Sequence, residues 1–292
     1  MAEPANPSLP RGRVDWTERV VAVLLWTIAL LFTGVFVWIV GDLLRHGLPH
    51  LSWEFLTGSP ADAGRAGGIL PILVSTLLIL GVCLAVSLPI GVGTAVFLAE
   101  FTREEGMLPR FVRRSLDVLA GVPSIVFGLF GNAFFTIYLG MGFSILSGGL
   151  TLACMVLPIL IRSTEEGFRA VPDDYRKAAA ALGLSRTATL RRILLPAAAP
   201  GLVVGLILGV GRALAETAAL LFTSGYVARM PDSLLDSGRA LSVHIYDLAM
   251  NVPGGESHAY ATALVLISLI LTINVITFWI GDRWLHRRIS PR

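Results

Sequence analysis

Six runs of apolar residues organise the chain: 20–40, 69–99, 118–139, 142–161, 197–222 and 259–280. Each is about as long as a membrane-spanning helix requires, roughly 20 residues. None alternates with the period of two that a barrel strand would show. The expected class is therefore all-α, a polytopic membrane bundle of six helices. The first run is longer than a signal-peptide core, and no small-residue cleavage pattern follows it, so it reads as a retained helix. The second run is too long for one straight span and holds Pro71 and Pro89, which predicts a short lead-in helix or a kink. Gly121, Pro123 and Ser124 predict an irregular start to the third. Between the fifth and sixth runs, the segment 223–258 has room for an amphipathic helix near 234–250.

Composition sharpens this pattern. Of 292 residues, 54% are hydrophobic and 15% charged, against about 25% charged in a soluble domain. Such a chain cannot clothe itself in polar surface, which excludes a soluble globule, and it is too apolar for disorder. There are 23 Lys and Arg and 20 Asp and Glu, and only Arg212 and Glu216 lie inside the apolar runs. With six crossings both termini share a side. That side carries 18 basic residues, including Arg11, Arg13, Arg19, Arg103, Arg110, Arg113, Arg114, Arg283, Arg287, Arg288 and Arg292. The other side carries four, Arg45, Arg65, Arg229 and Arg239. The positive-inside rule places both termini in the cytoplasm. Because the basic excess follows topology rather than forming a patch, a nucleic-acid partner is not expected.

The loop 162–196 differs from the others. Asp173 and Asp174 follow Pro172 as at a helix N-terminus. An alanine run follows, and Gly183 stands where a helix C-cap needs positive φ. Ser185 suits the cap of a second helix, expected to stop at Pro196. The product is a cytoplasmic knob with a smooth face. Lys177 is the sole lysine in the chain, and it lacks the preceding Gly of a phosphate-binding loop, so ATP chemistry must belong to another subunit.

In the fifth run Ala197, Gly201, Gly205, Gly209, Ala213 and Thr217 recur every fourth residue, a spacing that lets helices approach closely. Arg212 and Glu216 are also four apart, so on one continuous helix their side chains can meet. Arg212 would lie about 22 Å along the axis from Ala197. An arginine at that depth must face protein or water. Two readings stay open: an ion pair clamping helices, or an anion site in a translocation path, for which the planar guanidinium is apt. Thr217 is grouped with Arg212 and Glu216 on that path. Asn132, Asn274 and Ser124 read as interhelical hydrogen-bonders. Cys83 and Cys154 read as inert thiols, and the five histidines show no metal-ligand spacing. An intramembrane enzyme would need a nucleophile–base set or paired acids at depth, whereas the spans hold one acid and no histidine.

Two motifs carry a family resemblance. Lys177-Ala178-Ala179, then Gly183, Ile193, Leu195 and Pro196, match the E-A-A-x3-G-x9-I-x-L-P loop of ABC importer permeases, with Lys177 in place of Glu. GRALAETAALLFT over 211–223 resembles the R-A-x-G-E-T-A-P-L-L-F-T signature of phosphate-transport permeases of the PstA type, with Ala215 for Gly and Ala219 for Pro. AGVPSIVFGLFG over 120–131 and IRSTEEGFRAVP over 161–172 agree. The resemblance implies the type I importer permease (MetI-like) fold over 67–281, with 162–196 as the coupling loop to an ATPase. Residues 1–19 and 282–292 would be cytoplasmic tails, and 20–66 a first span with an external segment. It further implies phosphate as cargo, a PstC-like sister permease, a PstB-like ATPase dimer using ATP and Mg, and a PstS-like binding protein. Sulfate, molybdate or phosphonate are the alternative cargoes.

Overall fold

The computed structural model describes residues 16–102 and 106–289, with side chains as far as residue 283. Arg11, Arg13, Arg103 and Arg292, and the side chains of Arg287 and Arg288, lie outside the described residues. The elements in order are α1 (Trp16–Gly47), α2 (Trp53–Thr57), β1 (Pro60–Ala61), β2 (Ala66–Gly67), α3 (Leu70–Val96), α4 (Met107–Ala120), α5 (Ser124–Gly131) and α6 (Ile145–Arg169). Then come α7 (Asp173–Ala181), α8 (Arg186–Thr189), α9 (Leu195–Leu214), α10 (Ala218–Leu221), α11 (Leu241–Met250) and α12 (Glu256–Ile289). Wide π-helical turns at Phe97–Phe101, Asn132–Tyr138 and Leu190–Leu194 extend α3, extend α5 and precede α9.

Among the described residues, five helices are long and apolar enough to cross a membrane. There are six when α4 and the α5 segment to Tyr138 count as one span, bent by 102°. This is the all-α membrane bundle expected. The bend falls where Gly121 and Pro123 predicted irregularity: Pro123 caps α5 in an extended conformation, and its ring disfavours helix in the residue before it.

The chain forms two units, up to Arg45 and from His46 onward. The first is carried by α1, whose apolar side chains are exposed along its length. In the second, α6 packs against both α3 and α9, and α12 packs along α9 and α11. Ile79, Cys83, Leu152, Val156, Val210 and Leu214 lie in the core that these helices share.

Two expectations are corrected, and one alternative of a third is removed. The second run is one helix without a lead-in piece. Pro71 sits in its first turn, where no N–H is needed, and Pro89 is accommodated inside. The amphipathic helix before the last span is shorter than expected, spanning only Leu241–Met250. The preceding chain instead caps α6: the amides of Ile145 and Leu146 donate to the carbonyls of Asp236 and Leu234 at 2.9 Å. Those amides are orphan donors of the first helical turn, and they hold 234–236 out of a helix. Third, the helix after Ser185 does not stop at Pro196. It runs from Arg186 to Leu214, because the turn Leu190–Leu194 widens just before the proline, whose ring and missing N–H a regular turn tolerates poorly.

Candidate functional site

The hairpin between α6 and α9 forms as its sequence directs. The α7 helix begins at the two aspartates, and Gly183 takes φ +68°. Ser185 Oγ accepts from the Ala188 amide at 3.3 Å to start α8. At the tip Lys177, Ala178 and Gly183 are exposed, whereas Ala179 is buried. Lys177 Nζ lies 3.2 Å from Asp174 Oδ1, so its positive charge is answered within the helix. On the return strand of the hairpin, Ile193 and Leu195 pack on the cluster of Phe168, Val171, Leu194 and Ala198, and Pro196 is buried beside them. All seven residues of the loop motif therefore sit in one hairpin, some at its tip and some at its root.

The small-residue ridge of α9 packs within the chain. A methyl at Gly201 would lie 2.5 Å from the Ser163 carbonyl oxygen and 2.6 Å from Gly167 Cα. Gly205 faces Ser163 and Leu160, Gly209 faces Val156, and Ala213 is buried. The matching small residues on α6 are only Ser163 and Gly167, and the pairing of the two helices picks them out.

At its other end α9 departs from the sequence reading. The expected continuous helix to residue 222 ends at Leu214, and Ala215 to Thr217 form a break before the short α10. Arg212 is in the last turn of α9 and Glu216 is in the break, and no ion pair joins them. Glu216 Oε1 instead accepts from the Ala219 amide at 3.2 Å. Ser242 Oγ donates to the Glu216 carbonyl at 2.6 Å, and Asn132 Nδ2 to the Phe222 carbonyl at 2.8 Å. Gly128 lets α5 lie against α10, since a methyl there would sit 2.8 Å from Ala219 Cα. These outside partners satisfy the backbone that an unbroken helix would have satisfied itself. Thr217 stands half-buried at the start of α10.

Arg212 has no hydrogen bond or ion pair among the described residues, and its Nε is buried. A buried donor left unsatisfied costs about 1–3 kcal/mol. Asn274 Oδ1, on α12, is likewise buried without a partner, whereas Asn132 is the interhelical bonder expected of it. Several other charges are paired, although Arg113 Nη2 and Glu165 Oε2 are also buried without a partner. Arg113 and Arg169 both reach Glu165 Oε1, at 2.8 and 3.0 Å, and Arg162 pairs with Asp117. Arg176 pairs with Glu100 at 2.6 Å, and this bond in particular raises its pKa above the ordinary value. Sequence reasoning missed these pairs because partners such as Glu100 and Arg176 are 76 residues apart. Between the last two spans His244 is buried, and desolvation lowers its pKa to about 4. Among the described residues no group of three or more His, Cys, Asp or Glu is placed to hold a metal ion.

A hairpin between two spans, a glycine-packed helix pair and a broken helix bearing Arg212 are thus on one chain. Residues 87–291 match the family of binding-protein-dependent transport system inner membrane components. The chain belongs to that family. The permease is 32% identical over 289 residues to the phosphate transport system permease protein PstA 2 of Mycobacterium bovis, covering 96% of this chain and 94% of that one. It is 37% identical over 228 residues to PstA 1 of Mycobacterium tuberculosis, covering 77% and 73%. It is 31% identical over 280 residues to YqgI of Bacillus subtilis, described simply as a probable ABC transporter permease protein, covering 91% and 95%. Among solved structures, a bacterial alginate ABC transporter bound to a periplasmic protein aligns at TM-score 0.65 and 14% identity, over 94% of this chain and 99% of that one. The MetNI methionine transporter in an inward-facing form aligns at 0.53 and 19%, over 76% and 95%. These share the fold. The permease is thus a membrane subunit of a type I ABC importer and not itself an enzyme.

Proposed function

We propose that the permease carries inorganic phosphate inward, as one of two permease subunits beside a PstC-like chain. A PstB-like ATPase dimer, using ATP and Mg, would dock on the α7 hairpin, and a PstS-like binding protein would deliver phosphate from outside. The observation that carries the cargo reading is Arg212, an unpaired guanidinium with buried Nε beside a helix break. Such a fork donates two hydrogen bonds to a tetrahedral oxyanion and keeps its charge at every relevant pH. The PstA-like sequence over 211–223 and the PstA relatives support phosphate among oxyanions. Because Glu216 caps α10, the incoming anion would meet the full charge of Arg212. The carboxylate nearby would keep retention weak enough for release. The hairpin's place on the more basic side of the chain supports a cytoplasmic hairpin and cytoplasmic termini. ATP-driven closure of the ATPase would move the hairpin and alternate the access of the path.

The test is uptake of labelled phosphate into vesicles holding the assembled complex, with its binding protein outside. Uptake that excess sulfate, molybdate or phosphonate leaves unchanged is the expected result. Uptake suppressed by one of these at equal concentration would assign that oxyanion instead.

A further inference from the structure

Arg176 precedes the exposed tip residues of α7, yet it points away from the surface they form. Its guanidinium makes five hydrogen bonds. Nε donates to Glu100 Oε2 at 3.2 Å and Nη2 to Glu100 Oε1 at 2.6 Å. Nη2 also reaches the Phe168 carbonyl at 3.1 Å. Nη1 reaches the Val171 carbonyl at 2.9 Å and Asp173 Oδ1 at 3.2 Å. One side chain thus ties together α7, the end of α6 and the end of α3. The hairpin is joined to α6 and α9 through the chain, but its link to α3 is non-covalent. Beside that link lies a cavity of about 190 Å³, lined by Glu100, Phe101, Arg176, Ala180, Leu184 and Thr189 among others. The body of α7 is therefore not packed solidly on α3: Val96 and Ala99 meet the root of the hairpin at Phe168, Val171, Leu194 and Ala198, and α7 itself reaches the end of α3 through the ion pair. Glu100 belongs to the π-helical turn that ends α3, a local geometry that recurs at functional sites.

We propose that the Arg176–Glu100 pair is the strut that transmits movement of the α7 hairpin to α3, so that the second span follows the motor together with α6 and α9. Arg176 is in this sense a positioning residue. The inference rests on the reading of the hairpin as the ATPase docking element. A bidentate fork suits the task because it fixes angle as well as distance, which a lysine ammonium cannot do.

The experiment uses the assembled complex in vesicles and reads the stimulation of ATP hydrolysis by the binding protein encoded with this permease. That signal crosses the membrane through the same linkage as transport. Arg176→Ala should leave the complex assembled and its unstimulated hydrolysis unchanged, while stimulation falls about tenfold, a typical coupling between sites. Arg176→Lys should fall between, and the charge swap Glu100→Arg with Arg176→Glu should recover part of the stimulation. Full stimulation in Arg176→Ala overturns the strut. If Arg176→Ala does not assemble, the swap decides: recovered assembly with stimulation supports the strut, and its absence overturns it in favour of a structural staple. Gly183→Val separates this from the docking reading. If it uncouples while Arg176→Ala does not, only the strut fails. If both stay coupled, the docking reading fails with it.

Discussion

The two ends of α9 solve opposite problems. At the hairpin end the charges of α7 and of α6 are largely answered: Lys177 by Asp174, Arg176 by Glu100, and Arg113 and Arg169 by Glu165. At the broken end Arg212 has no partner among the described residues, although a carboxylate stands four residues on. Glu216 is taken by an α10 amide, and Ser242 and Asn132 hold the break in place. A part that must move as a body benefits from satisfied, geometrically fixed contacts. Under the proposed function, the broken end would take and release an anion, for which an unsatisfied donor held ready is of use.

The comparison breaks most sharply at Arg212. Arg212→Ala should reduce phosphate uptake by at least about 100-fold, the loss of two charge-assisted hydrogen bonds of about 1.5–3 kcal/mol each, with the complex still assembled. Normal uptake would remove the anion site, and a complex that no longer assembles would show that Arg212 is a structural clamp. Next is the tip of the hairpin. Gly183→Val places a branched residue at φ +68°, which costs about 1–2 kcal/mol locally, and transport per ATP should drop severalfold. Coupled transport at the wild-type ratio in an intact complex would count against the docking role.

A pH effect separates both ends from the loop between the last spans. The pKa of His244 is about 4 in the fold, below its unfolded value near 6.5. The unfolded chain therefore binds the proton first, and stability declines as pH falls from 6.5 towards 4. Between pH 7 and 5 the loss should be about 2 kcal/mol, read as a lower unfolding temperature in detergent. His244→Gln should flatten that dependence; an unchanged slope would assign it to other groups. The smallest effect is expected at Glu216→Gln. The amide oxygen can still accept from Ala219, so stability should change by less than about 1 kcal/mol, while phosphate should be retained longer. Faster release would contradict the repulsive role given to the carboxylate.

Much of this architecture was legible in the chain because it depends on local rules. Length and hydropathy decide a span, Gly183 can adopt positive φ cheaply, and Ser185 caps the helix that follows it. Pro123 marks the break before α5 for the same kind of reason. Every fourth residue of α9 is small, which predicts close packing, but not that Gly167 on α6 is the surface it meets. The misreading of the fifth run has a distant cause. Residues 197–222 look like one helix because no proline or glycine lies between Leu214 and Phe222. The break exists because Ser242, Asn132 and the face of α5 supply partners from far along the chain.

By itself, then, the sequence determined the class of solvent, a bundle of five or six candidate spans, the hairpin between α6 and α9 and the two charges within the apolar runs. Each follows from hydropathy, backbone preference or spacing within one segment. Only the tertiary structure decided that Glu216 caps a helix instead of pairing with Arg212, that Arg176 reaches Glu100, and that the glycine ridge is spent inside the subunit. Those outcomes turn on which polar groups meet once the helices pack. In an apolar interior each such group takes whatever partner the packing brings within reach, wherever in the chain that partner lies.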